Sequence, residues 1–400
     1  MNGSSQQSVS IAALSGQKIF VGCMAIAFIG AICAAVAGYV LQNNVELLHR
    51  LGVSGVFVSD AVSLRDTANV YWGRRAELEV TWMPIIGVMQ FYWAGILWGS
   101  LAVCALNIFL ILSAAYYFFE TIKTFVSGNR QLLLIFAFVT LSIVGNIYLI
   151  EVMAFPNKEI PLLAITNAYV YYLVVRRSYI APAILSTIAF VFRDGYGVIL
   201  IGCLVAFWAL RNKPLKTRLG LIGLMVAIFT LMPISSFMEI SNIVARNVES
   251  GLLAHQYEQV NGQLGYLSRL KYNTLSLGLF SSFLTDRGRL DLLNVGFWQL
   301  GVFVIAGILW ATKQILTKAN ELEFGISIVI LVVFLCISYG TFVQPRYLMP
   351  LSYFLALGFV RCVKCGGIAV SLSVVVPAFL LLRDIPHRAP EMLDAATWSW

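Results

Sequence analysis

Long apolar stretches alternate with short charged segments along the whole chain. The first apolar stretch, 19–41, carries no charge and is long enough to cross about 30 Å of hydrocarbon as a helix. Apolar runs bounded by charges predict about eleven membrane-spanning helices, several of them so short that neighbouring helices must shield their ends. The predicted spans lie near residues 19–41, 85–119, 131–150, 160–175, 178–192, 196–210, 219–238, 296–312, 324–343, 347–360 and 366–382. The second run is overlong, and we expect its first turns, after Pro84, to lie in the membrane interface.

Composition supports this pattern, because 60% of the residues are apolar, only 12% are charged and the mean hydropathy is +0.84. A soluble domain of this length needs far more charge to cover its surface. Most of the seven cysteines fall inside apolar runs, where they act as small hydrophobic residues and indicate no disulfide framework. Since no linker or repeat divides the chain, we expect one integral membrane domain over 1–400, an all-α polytopic helical bundle.

The basic residues concentrate in one set of connections between the predicted spans. If the N-terminus is cytoplasmic, the short connections on that side contain the acids Glu120, Glu321 and Glu323. Against them stand the bases Lys18, Lys123, Arg130, Arg176, Arg177, Arg211, Lys213, Lys216, Arg218, Lys313, Lys318, Arg361 and Lys364. The positive-inside rule therefore predicts a cytoplasmic N-terminus. The two long polar segments, at about 42–83 and 239–294, then lie on the outer face and suggest a working surface there.

The net charge of +8 does not indicate a nucleic-acid partner, because the bases form short clusters between apolar runs rather than one polar face. Three histidines make a histidine-based metal site improbable, and Cys362 and Cys365 have the spacing of only half a zinc site. No glycine-rich loop of the kind that holds nucleotide phosphates is present. We expect neither a metal nor another cofactor.

The first predicted outer loop combines carboxylates with arginines, at Asp60, Arg65 and Asp66. A carboxylate held near arginines can act as a general base, and an arginine binds phosphate through its planar fork. Asp60 and Asp66 are therefore candidate catalytic bases. The alternative is a solvated amphipathic loop with local ion pairs.

Lys158 and Glu159 lie between Pro156 and Pro161, at a predicted outer boundary. The prolines restrict the turn and favour an ordered, inward-facing ion pair. The alternative is a pair of charges that simply reach the membrane interface.

Two further boundaries carry isolated charge. Arg193 and Asp194 separate two short apolar runs, and burying such a pair costs several kcal/mol unless it has partners. The neighbouring Gly195 and Gly197 allow a tight backbone turn beside a ligand. Arg346 is the one charge between Phe324 and Arg361, so it needs a carboxylate from another span or a ligand phosphate.

Three of these features together resemble the GT-C superfamily of membrane glycosyltransferases and, within it, the Wzy- and EpsG-like polysaccharide polymerases. They are the acidic first outer loop, the turn 157–159 that leads into short paired helices ending at Arg193, and the segment Pro345-Arg346-Tyr347-Leu348-Met349-Pro350, which is similar to an Arg-Tyr-x-x-Pro element. The first loop lacks an adjacent acidic pair, and the chain lacks an Asp-x-Asp motif. A metal-dependent oligosaccharyltransferase therefore fits less well.

The resemblance implies a GT-C-like fold and polymerisation of lipid-linked oligosaccharide repeat units at the periplasmic face of a bacterial inner membrane. The donor and acceptor would be glycans on polyprenyl phosphate or pyrophosphate, with membrane lipid and a chain-length regulator as further partners. Arg193 and Arg346 would neutralise the leaving group, and Asp60, Asp66 or Glu159 would accept the proton of the acceptor hydroxyl. The implied substrate-binding residues are Arg65, Lys158, Asp194, Tyr196, His255 and Tyr347.

Three other functions agree with the same sequence. A related enzyme would add a single sugar from a polyprenyl-phosphate donor. A flippase or another transporter would need functional charge near the middle of the spans, whereas the charges here lie at outer boundaries. A structural subunit without activity is the third alternative.

Overall fold

The computed structural model describes residues 4–42, 88, 90–93, 98–231, 292–317, 320–340 and 345–362. Side chains are described throughout these ranges except at 4–15, 41–42, 194, 229, 292–298, 339–340 and 345–346. Every regular element in the described residues is helical, which confirms the all-α prediction for this part of the chain. The predicted span 366–382 and nearly all of the two predicted outer loops lie outside the described residues.

Eleven α-helices occur in the described ranges. They are α1 (Ser4–Gln42), α2 (Ser100–Ile122), α3 (Asn129–Val144), α4 (Ile147–Val152), α5 (Glu159–Val170), α6 (Ile180–Phe192), α7 (Asp194–Leu210), α8 (Leu215–Leu231), α9 (Leu292–Leu316), α10 (Glu321–Gly340) and α11 (Ser352–Cys362). A π-helical turn, Tyr171–Val175, continues α5, and a 3-10 helix, Pro345–Leu351, precedes α11.

Four of the described helices contain a stretch that is long and apolar enough to cross a membrane. These stretches are Gly16–Val40, Ser100–Ile122, Gln299–Leu316 and Glu321–Ser338. Shorter apolar helices, α3, α5, α6, α7 and α11, accompany them. The chain is therefore a membrane protein by the length and composition of its helices, and eleven spans stays a prediction.

The predicted span 160–175 ends in the π-helical turn, and three further predicted spans are interrupted. The run 85–119 is interrupted at Gly99, whose φ of +91° favours glycine, and α2 begins only at Ser100. The run 131–150 breaks after α3, where Asn146 accepts a hydrogen bond from the N–H of Tyr148 at 3.0 Å and starts α4. The run 347–360 begins in the 3-10 helix, which contains Pro350, before α11 starts. Apolar length alone does not reveal such caps.

The core forms where α2 packs between α1 and α5, while α9 packs against both α10 and α11. Helices α9 and α11 approach so closely at Gly307 and Gly358 that a Cβ atom on Gly358 would lie 2.7 Å from the Gly307 Cα atom. Helices α6 and α7 form a hairpin, and α7 packs on α10. The close helix contacts place the loops of the bundle in two groups, one at each end.

One end of the bundle holds a network of ion pairs. Glu321 Oε2 lies 2.6 Å from Arg177 Nη2, and Glu321 Oε1 lies 3.8 Å from Arg211 Nε. Arg361 Nη2 lies 3.2 Å from Glu323 Oε1. These five residues define the basic end. All of them belong to connections that the sequence assigns to the cytoplasmic side, and the side of the membrane that the basic end faces stays a prediction.

Arginines at the basic end also contact aromatic rings. The guanidinium of Arg218 lies 4.2 Å from the centre of the Phe324 ring. Arg176 Nε donates a hydrogen bond to Tyr171 Oη at 2.7 Å, and this bond raises the pKa of Arg176. These contacts hold the helix ends together.

Candidate functional site

The opposite end of the bundle starts where α5 begins. Helix α5 and its π-helical turn run from Glu159 to Val175, which separates that start from the basic end by about 24 Å at the usual helical rise. The Glu159 end contains two groups of residues in contact: Tyr92, Asn107, Asn157 and Glu159 form the first, and Arg193 and Tyr347 form the second. These two groups are the candidate site.

Asn107 is a fully buried amide in the predominantly apolar helix α2. Its Oδ1 accepts a hydrogen bond from Tyr92 Oη at 2.5 Å. Its Nδ2 donates to the carbonyl of Met153 at 2.9 Å and, less favourably, to that of Phe155 at 3.4 Å. The side chain of Asn107 thereby fixes the loop between α4 and α5 against α2.

Asn157 fixes the same loop from within. Its Nδ2 donates to the carbonyls of Val152 at 3.1 Å and Phe155 at 2.9 Å, with a longer contact of 3.4 Å to Tyr92 Oη. Its Oδ1 accepts a hydrogen bond from the N–H of Ile160 at 2.8 Å, which satisfies one of the unpaired amides at the start of α5. The two asparagines and Tyr92 therefore define where α5 begins.

Glu159 occupies the first position of α5 and is half-buried. Its Oε2 accepts a hydrogen bond from the N–H of Lys158 at 3.1 Å, so the carboxylate is turned back over the helix start. A negative side chain is favourable at a helix N-terminus. A carboxylate has more lone pairs than this one hydrogen bond uses, so Glu159 can accept further hydrogen bonds.

Arg193 is the one-residue junction between α6 and α7. Its N–H donates to the carbonyl of Ala189 at 2.8 Å, and its carbonyl accepts from the N–H groups of Tyr196 at 3.0 Å and Gly197 at 3.2 Å. The backbone is extended there, with φ −157° and ψ 104°. The same residue thus ends one helix and begins the next, so the base of its side chain is held in place.

The half-buried side chain of Arg193 lies over an aromatic ring rather than beside a described carboxylate. Its guanidinium carbon is 4.3 Å from the centre of the Tyr347 ring, which belongs to the 3-10 helix before α11. The ring stabilises the charge without neutralising it. Within the described residues Arg193 forms no ion pair, so its donors suit an anionic ligand.

Aromatic contact joins the two halves of the candidate site. Phe192, next to Arg193, packs edge-on against Phe91 with ring centres 5.1 Å apart, and Phe91 precedes Tyr92. Gly197 lets α6 and α7 approach closely, since a Cβ atom there would lie 2.5 Å from the backbone nitrogen of Phe190. The glycine therefore permits the tight turn between α6 and α7, and a ligand beside that turn stays a prediction.

The structure brings Glu159, Arg193 and Tyr347 to one end of the bundle, and Lys158 lies half-buried beside them. Tyr196 is only 3% exposed, and its Oη lies 3.1 Å from Thr166 Oγ1, which encloses its ring between α5 and α7. Four other predicted site residues lie outside the described residues: Asp60, Arg65, Asp66 and His255. Asp194 and Arg346 lie at described backbone positions next to Arg193 and Tyr347, with side chains outside the described part.

Three residues at this end, Tyr92, Asn107 and Glu151, are not among the predicted site residues. Asn107 and Tyr92 hold the α4–α5 loop, and Glu151 on α4 is a carboxylate with only 2% exposure. The signal for Asn107 was present, because an amide inside an apolar run needs a buried partner. Nothing local in the sequence identifies that partner.

No family model, curated protein or solved structure matches this chain. In the described part of the chain, no three histidine, cysteine, aspartate or glutamate side chains converge in a way that would hold a metal ion. The described part of the candidate site offers a carboxylate, an arginine, aromatic rings and buried amides.

Proposed function

We propose that this protein is a membrane glycosyltransferase that polymerises lipid-linked oligosaccharide repeat units, with its site at the Glu159 end. The observation that carries the proposal is the guanidinium of Arg193, which lies over the Tyr347 ring and forms no ion pair within the described residues, at the same end as the carboxylate of Glu159. A transferase using a polyprenyl-pyrophosphate donor needs these two kinds of group, one for the leaving group and one for the acceptor.

In the proposed step Glu159 accepts the proton of an acceptor hydroxyl, and the hydroxyl oxygen forms a bond to the anomeric carbon of the donor glycan. The bond between that carbon and the phosphate oxygen breaks, and its electron pair leaves with the polyprenyl pyrophosphate. Arg193 stabilises the negative charge that develops on this leaving group. Arg346, one residue before Tyr347, is proposed as a second cation for the same group.

The donor would lie in the outer leaflet, with the Glu159 end facing the periplasm of a bacterial cell. The asymmetry of basic residues supports this orientation, since the opposite end of the bundle carries Arg177, Arg211 and Arg361. Asp60 and Asp66 remain proposed alternatives to Glu159 as the base. Donor and acceptor would both be lipid-linked glycans, and a chain-length regulator is proposed as a protein partner.

The test uses the purified full chain with a synthetic polyprenyl-pyrophosphate-linked repeat unit and neither nucleotide sugar nor added metal. Products are resolved by gel electrophoresis and mass spectrometry. A ladder of repeat lengths is expected from the unchanged protein. Addition of one sugar from a polyprenyl-phosphate donor would instead indicate the single-sugar transferase, and transport of the intact lipid-linked unit without new glycosidic bonds would indicate a flippase.

Matched pairs of variants test the proposed roles of Arg193 and Glu159. Arg193→Gln and Arg218→Gln each remove an arginine that lies over an aromatic ring, at opposite ends of the bundle. We expect the first to lower the rate by about 100- to 1000-fold, as removal of one charge-stabilising donor does, and the second to retain the ladder. Glu159→Gln is expected to lower the rate by at least about 100-fold, whereas Glu120→Gln is not. Equal loss in both members of either pair would overturn the assignment.

A further inference from the structure

A groove between α1, α2 and α3 lies far from the candidate site. It has a volume of about 570 Å³, and its lining includes Gln17, Lys123 and Asn129. Lys123 follows Asn107 by 16 residues along α2 and its C-terminal cap, which places the groove about 24 Å from the asparagine network. Arg361 lies 5.3 Å from the centre of the Phe125 ring in the turn after α2, so the groove opens at the basic end.

The groove lining contains both polar and apolar side chains. The polar ones are Gln17, Glu120, Lys123, Thr124 and Asn129, and the apolar ones include Phe20 and Leu132. A free anion would contact favourably only the polar residues, and a hydrocarbon chain only the apolar ones. A volume in this range holds a ligand of the size of a phospholipid headgroup with its glycerol and first methylene groups.

The groove lining contains one base, Lys123, and one acid, Glu120, and two further bases adjoin it in the chain. Lys123 is 43% exposed and forms an ion pair with Glu120 at the groove wall. An ammonium group has three donors, so this pair leaves donors of Lys123 for a second oxygen ligand. Lys18 and Arg130 are exposed and adjoin lining residues in the chain, which gives three bases against one acid.

We propose that this groove binds an anionic phospholipid, with the headgroup phosphate at Lys123 and the acyl chains beside Phe20 and Leu132. Basic pockets between membrane helices suit this ligand because the phosphate meets fixed positive charge where the acyl chains still reach the hydrocarbon. The site is independent of glycosyl transfer. It ties the N-terminal helix to α2 and α3 through a lipid.

The experiment measures lipid retention on the full-length protein by native mass spectrometry, after incubation with phosphatidylglycerol or with phosphatidylcholine of the same acyl chains. Lys123→Gln and Arg130→Gln remove charge at the groove, and Lys213→Gln removes an exposed charge in the connection between α7 and α8. We expect each groove variant to retain at most about one third of the phosphatidylglycerol that the unchanged protein retains. The control variant should retain as much as the unchanged protein.

A volume variant tests the groove without a change of charge. A Cβ atom at Gly16 meets nothing within 4 Å, so Gly16→Trp fills the groove without a clash at its first atom. Gly220→Trp adds the same side chain to α8, where a Cβ atom also meets nothing within 4 Å. Gly16→Trp is expected to abolish retention and Gly220→Trp to preserve it, with thermal unfolding of both variants in lipid-free detergent unchanged.

Equal retention of phosphatidylglycerol and phosphatidylcholine would overturn the proposal, because the phosphate shared by both lipids would then bind without any need for net negative charge. Unchanged retention in both Lys123→Gln and Gly16→Trp would overturn it as well. Since none of these measurements depends on catalysis, failure here leaves the proposed transferase activity to its own test.

Discussion

The guanidinium of Arg193 lies 4.3 Å from the centre of the Tyr347 ring, which joins the α6–α7 junction to the 3-10 helix before α11. The ring face attracts the cation without cancelling its charge. A carboxylate at the same place would compete with any anionic ligand. The contact with Tyr347 therefore orients the positive charge, and within the described residues no carboxylate pairs with it.

Replacing the ring should weaken catalysis more than removing its hydroxyl. A cation–π contact of this kind is worth about 1 to 2 kcal/mol, which corresponds to about 5- to 30-fold in rate if the orientation of Arg193 matters only in the transition state. We expect Tyr347→Leu to lose that much ladder formation and Tyr347→Phe to lose much less. A Phe variant as inactive as the Leu variant would assign the role to the hydroxyl instead of the ring.

Two neighbouring glycines at the start of α7 should respond differently to alanine. A Cβ atom at Gly197 would lie 2.5 Å from the Phe190 nitrogen, whereas one at Gly195 meets nothing within 4 Å. We expect Gly197→Ala to push α6 from α7, to lower the thermal unfolding temperature and to displace Arg193. Gly195→Ala should keep both stability and activity. Similar unfolding temperatures for the two variants, measured by intrinsic fluorescence in detergent, would contradict the close helix contact.

The buried amide network should contribute measurably to stability. Asn107→Leu leaves the hydroxyl of Tyr92 and the carbonyl of Met153 without their partner, and each unsatisfied buried group costs about 1–3 kcal/mol. We expect a fall of several degrees in the unfolding temperature. Asn212→Ala, at an exposed turn position between α7 and α8, is the matched control and should change it little.

The same network should also affect the catalytic rate, through Asn157. Because Asn157 is held by Tyr92 and by backbone carbonyls, it sets the first turn of α5 and with it the position of Glu159. Asn157→Ala should therefore reduce the maximal rate while the protein still folds. A variant with full activity would show that the position of Glu159 does not depend on this cap.

Boundaries marked by charge could be predicted from the sequence. The start of α5 at Glu159 and the break between α6 and α7 at Arg193 follow from charged residues between short apolar runs, and the structure places both where the sequence does. The ion pairs of Glu321 and Glu323 likewise join residues that the sequence assigns to one side. In each case a charged side chain would lose its hydration inside the hydrocarbon, and this free-energy cost keeps the charge at the end of a helix.

Breaks inside apolar runs could not be predicted in the same way. The interruption at Gly99 and the cap at Asn146 depend on backbone conformation and on a single hydrogen bond, neither of which changes the mean hydropathy of the run. The partners of Asn107 come from α4–α5 loop carbonyls 46 and 48 residues away. Pairing over such separations depends on tertiary packing, which residue periodicity does not encode.

The two ends of the bundle should be accessible from opposite sides of the membrane. Asn212 lies in the exposed turn beside Arg211 at the basic end, and Pro156 lies in the loop before Glu159. Helix α5 with its π-helical turn spans about 24 Å between the two ends, which approaches the thickness of the hydrocarbon core.

We expect a membrane-impermeant maleimide to label Pro156→Cys in intact cells and Asn212→Cys only after permeabilisation, each in a background without the seven native cysteines. Labelling of both positions from the same side would mean that α5 does not cross the bilayer. The reverse pattern would place the Glu159 end in the cytoplasm, and an outer-leaflet donor would then be out of its reach.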